Sequence, residues 1–66
     1  MEPEITYELR SALKTAPNRW EKIAVYDYHE EAKRAYHRMS EKYADNIYKL
    51  LEVTKQTYVE YQTILG

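Results

Sequence analysis

The sequence predicts an all-α fold, and three observations carry that prediction. Gly66 is the only glycine, the two prolines (Pro3 and Pro17) both stand where a helix could begin, and residues 18–65 contain neither residue type. Strands joined by tight turns draw on residues that accept positive φ, and this chain has almost none to offer. Apolar side chains also recur at three- and four-residue steps through most of the chain. The favoured arrangement is one domain over residues 1–66, a small three-helix bundle with helices at about 4–15, 19–39 and 41–65.

The first helix is the short one. Pro3 suits a first helical turn, where its missing N–H is no loss, and Ile5, Leu9, Ala12, Leu13 and Ala16 then mark one face. Pro17 disfavours helical geometry at Ala16, which ends the segment near Thr15. A helix of this length needs a partner surface to persist.

The second helix begins with an N-x-x-E capping box, Asn18 accepting from the first turn and Glu21 reaching back. Trp20, Ala24, Tyr28, Ala32, Ala35 and Met39 follow as its apolar line, small beside large, as a close helix crossing requires. In the third segment Tyr43, Ala44, Ile47, Tyr48, Leu51, Tyr58, Tyr61 and Leu65 form a broad stripe. A chain reversal near Ser40, which would cap the third helix, closes the bundle. The alternative is a short helix followed by one unbroken helix of about 70 Å, which would have to pair with another chain.

Four Ile, five Leu and three Val are a lean aliphatic supply for a core, and there is neither Phe nor Cys to add to it. A second copy could supply further apolar surface, so a homodimer is weighted over a monomer. Ten basic and eleven acidic side chains are intermixed, with a formal net charge of −1, which excludes a strong field of one sign. No apolar run reaches the roughly 20 residues of a membrane span and the first residues are acidic, so the expectation is a soluble, cytoplasmic protein without membrane association.

Catalytic and metal chemistry find little support. His29 and His37 lie eight residues apart, about 80° around a helix and two turns along, too far to share one ion. Ser11 and Ser40 stand in no nucleophile motif, and no carboxylate pair suggests acid–base work. The expectation is a protein that is not an enzyme and needs no cofactor or metal.

Tyrosine is the feature that departs furthest from ordinary composition, with eight residues in a chain that has no Phe. A small core rarely supplies partners for so many hydroxyls, whereas tyrosine beside arginine is typical of protein interfaces. Tyr26 and Tyr36, off the main stripes, together with Arg34, Arg38 and Lys42, are therefore the candidate partner-binding residues of a small regulator or inhibitor of a larger protein. Tyrosine standing in for Phe in the core is the plainer reading of the same composition.

Arg34, Arg38 and Lys42 also lie on one helical line, as in a small nucleic-acid-binding regulator that tracks a phosphate backbone. Against this, Glu30, Glu31 and Glu41 stand three or four residues from Arg34 and Arg38, so local ion pairs on a solvated face would account for the same pattern.

Overall fold

The computed structural model describes residues 2–66, and it overturns the all-α prediction. The chain runs β1 (Glu4–Leu13), β2 (Glu21–Tyr26), α1 (His29–Lys42), β3 (Asn46–Gln56) and β4 (Val59–Ile64). There is one helix among the described residues, neither a bundle nor a long helix suited to pairing between chains. The segments expected as helices at 4–15 and 41–65 are largely strands, and only the second half of 19–39 is helical.

The lack of glycine before Gly66 did not preclude a sheet, because the connections avoid positive φ altogether among the described residues. Between β1 and β2 the chain makes two successive tight turns, in which Ala16 N–H donates to Leu13 C=O at 3.0 Å and Arg19 N–H to Ala16 C=O at 3.1 Å. Pro17 is the second residue of the latter turn, where its fixed φ is already correct. Asn18 is spent in that turn and Glu21 opens β2, so the capping box does not form. Thr57 and Tyr58 alone join β3 to β4, again without the left-handed geometry that glycine-bearing hairpins use.

The strands are four neighbours in the order β2-β1-β3-β4, every adjacent pair antiparallel. β2 and β3 both run against β1 and hence parallel to each other, so α1 carries the chain across β1 between them. The helix needs no stop at Ser40, which lies inside it. Glu30 and Glu31 in its first turn and Lys42 in its last agree with the helix dipole, while Tyr28 at the N-cap makes no side-chain cap bond.

Register separates the two faces of the sheet. Tyr7, Leu9, Ala24 and Leu50 share the face that α1 covers, with Leu9 and Leu50 buried against it and Ala32 of the helix fully enclosed. Glu8, Ala12, Leu51 and Val53 share the opposite face and are also buried. The molecule measures 41 × 24 × 15 Å, and its shortest dimension fits one helix of about 10–12 Å diameter on one sheet, with no third layer. Val53, 0% exposed, is instead enclosed within the sheet surface, with Thr6 and Gln62 as its cross-strand neighbours.

Candidate partner-binding surface

Four of the five candidate residues, Arg34, Tyr36, Arg38 and Lys42, lie on α1. Arg34, Arg38 and Lys42 lie on one line of α1 and are exposed. Tyr26 is not on that helix. It ends β2, opposite Tyr7 in the register, and is half-buried on the face that the helix covers. The crossover from β2 into α1 brings it back beneath the arginines, so Tyr26, Glu31, Arg34, Ala35 and Arg38 line one depression of about 290 Å³.

The ion pairs expected along α1 are absent among the described residues. Pairs within 4.0 Å join Arg10 and Lys22 to Glu8 and Lys55 to Glu60, and none involves a helical side chain. Arg34 and Arg38 therefore border the depression with their guanidinium donors uncommitted to a carboxylate, and Glu31 is the one acidic group beside them. A planar fork of donors next to a phenol ring suits a carboxylate-bearing ligand, since arginine engages carboxylates bidentately and stacks on aromatic faces.

Tyr36 belongs elsewhere. It lies on the opposite flank of the helix, lining a second depression with His29, Lys33, His37, Leu50 and Leu65. A Cβ added at Gly66 would stand 3.4 Å from Cζ of Tyr36, and the Tyr36 ring meets His37 edge-on with centroids 5.6 Å apart. The five candidate residues thus divide into a β2-side group, a β4-side tyrosine, and Lys42 at the helix end, where its Nζ lies 5.4 Å from the Tyr43 ring centroid. The histidines are likewise separate: His29 stacks on Tyr7 with ring centroids 5.4 Å apart, and no group of three or more His, Asp or Glu converges among the described residues.

The open face of the sheet holds a cluster that helical periodicity concealed. Arg10 pairs across the sheet with Lys22 on one side and Lys49 on the other, placing three bases in one row. Glu8 partly neutralises that row: Arg10 donates to its Oε2 from Nη2 at 2.7 Å and from Nε at 3.2 Å, and Lys22 Nζ stands 3.9 Å from its Oε1. Trp20, expected in a helical core, instead receives Lys49 over its ring at 4.3 Å from the centroid. The alternation Glu8-x-Arg10 was the available signal, since two residues apart is one face of a strand. No helix among the described residues is long and apolar enough to cross a membrane. No protein-family model, curated protein or solved structure matches this chain.

Proposed function

We propose that this chain is a non-catalytic binding module, a small regulator or inhibitor that engages an acidic segment of a protein partner in the depression between β2 and α1. One observation carries the reading: Tyr26, Arg34 and Arg38 converge there, and neither guanidinium is paired with a carboxylate within 4.0 Å. A partner carboxylate would meet Arg34 or Arg38 as a charge-assisted fork, and the Tyr26 ring would give contact area at small entropic cost.

Binding of a fluorescent Glu- and Asp-rich peptide, followed by anisotropy, tests this directly. Arg38→Ala and Arg34→Ala should each weaken binding by about tenfold, the cost of one charged hydrogen bond, while Tyr36→Ala on the other flank leaves it within about twofold. Equal affinity of the wild type and the Arg34→Ala, Arg38→Ala double variant would refute the placement.

A nucleic-acid reading rests on a different observation. Arg34, Arg38 and Lys42 rise along the helix at about 6 Å intervals, close to the spacing of successive phosphates on one strand. Glu30, Glu31 and Glu41 on the same helix weigh against it. A salt titration with duplex DNA decides: a steep loss of affinity with salt supports phosphate contacts, and no binding at low salt removes them.

A further inference from the structure

The sheet ends on β4, and this edge is left open in a way that matches a second copy of itself. Leu65 N–H donates to Leu50 C=O at 2.8 Å, which fixes the alternation along the β3–β4 ladder. Residues 59, 61 and 63 therefore turn their backbone groups toward β3, and just beyond the strand Leu65 N–H donates to Leu50 C=O while Leu50 N–H donates to Gly66 C=O at 2.9 Å, a bulge that follows Ile64; the N–H and C=O groups of Glu60, Gln62 and Ile64 point away from the sheet. No proline, lysine or bulge interrupts Val59–Ile64, although these are the usual guards of an exposed edge. Every residue of β4 is exposed, and five of the eleven exposed large apolar side chains (Tyr58, Val59, Tyr61, Ile64 and Leu65) lie on or beside it.

We propose that two copies pair antiparallel through β4, with Gln62 opposite its counterpart on a two-fold axis perpendicular to the sheet. The register follows from two requirements. The outward backbone groups must meet one another, which places Glu60 opposite Ile64 of the second copy and Gln62 opposite Gln62. The faces must also match, and in this register Val59 meets Leu65 and Tyr61 meets Thr63 on the helix-covered side, so apolar groups left exposed in one copy adjoin those of the other. Glu60 avoids its own counterpart, which would be the one like-charge pair. The result is a continuous eight-stranded sheet in which the two open β4 edges have closed each other, the isologous arrangement expected of a homodimer. The depression between β2 and α1 lies at the other edge, so the pairing does not depend on what binds there.

Sedimentation equilibrium across micromolar to millimolar chain concentrations tests the pairing. The expected mass is twice 8.0 kDa at the upper end, falling toward 8.0 kDa on dilution. Gln62→Pro removes an N–H that serves only the outer edge, and should leave the chain monomeric with its circular dichroism retained. Should that variant unfold, charge placed on the axis gives an independent answer. Gln62→Lys and Gln62→Glu should each raise the dimer dissociation constant by about tenfold through like charges in direct opposition, and an equimolar mixture of the two should recover it. A mass of 8.0 kDa at every concentration overturns the proposal, as does a dimer whose dissociation constant ignores all three substitutions and the mixture.

Discussion

The two edges of this sheet are built differently. On β2, Leu9 pairs with Ala24 and Arg10 with Lys22, leaving Ile23 as the extra residue of a bulge, and Lys22 adds a charge to the same short strand. The chain then turns directly into α1, which packs against β3, β1 and β2 but not against β4. β4 has neither a bulge nor a lysine within it: its ladder to β3 runs without a register shift from Val59 to Ile64, Glu60 is its one charge, and the bulge at Leu65 and Gly66 lies beyond the strand. Bulges and lysines are how sheets discourage further pairing, so one edge is closed to another strand and the other is available to it. Side chains with similar hydropathy are thus buried as core in one part of the molecule and exposed in another.

The largest test of that contrast is stability. Leu50→Ala, beneath the helix, should cost about 2–5 kcal/mol, and Ile64→Ala, 72% exposed, less than about 0.5 kcal/mol for the monomer, both measured by urea unfolding at low chain concentration. Comparable losses would mean that β4 is as deeply embedded as β3. Glu8→Ala comes next. It strips Arg10 and Lys22 of their shared carboxylate on the guarded side of the sheet, and the side chain is only 12% exposed, so about 1–3 kcal/mol should be lost. A change below about 0.3 kcal/mol would show that water replaces the carboxylate without cost.

Trp20→Ala should remove a surface cation–π contact of about 0.5–1 kcal/mol beyond its packing, an increment that a double-mutant cycle with Lys49→Ala isolates. The finest test is amide exchange. The N–H groups of Glu60, Gln62 and Ile64 should exchange quickly in dilute solution and slow as the chain is concentrated, while exchange along β2 stays independent of concentration. Concentration-dependent protection on β2 instead would reverse the assignment of the two edges.

Part of this architecture was legible beforehand. Ala32, Ala35 and Met39 do mark the inner side of a helix, and Arg34, Arg38 and Lys42 do share its outer line. The strands were misread for a geometric reason. Positions four apart coincide on a helix, but they also fall on one face of a strand, so Ile5, Leu9 and Leu13 or Ile47 and Leu51 satisfy both periods. What could have arbitrated was side-chain type: Ile47, Tyr48, Val53 and Thr54, then Val59, Tyr61, Thr63 and Ile64, are β-branched and aromatic residues suited to a pleated surface. Four of the eight tyrosines, Tyr7, Tyr26, Tyr48 and Tyr61, stand in strands, a preference of aromatic side chains that the sequence reading did not weigh.

The candidate site was legible to the extent that it lies on the helix. Tyr26 was assigned to the same helix as Tyr36, and it joins Arg34 and Arg38 only because the chain doubles back after β2. The Trp20 and Lys49 contact was beyond reach without the register, since residues 29 apart in sequence meet only through two strand pairings.

The position of β1 has a consequence for how the chain acquires its shape. β1 emerges first during synthesis, and its longest ladder waits for residues 46–55, which appear only after the helix has been made. A β1–β2 hairpin and a β3–β4 hairpin are each local, but joining them requires closing a loop of more than thirty residues before any reward is collected. The docking of these two halves should therefore set the folding rate. Substitutions along the β1–β3 seam should slow refolding, whereas those on the outer strands should chiefly hasten unfolding.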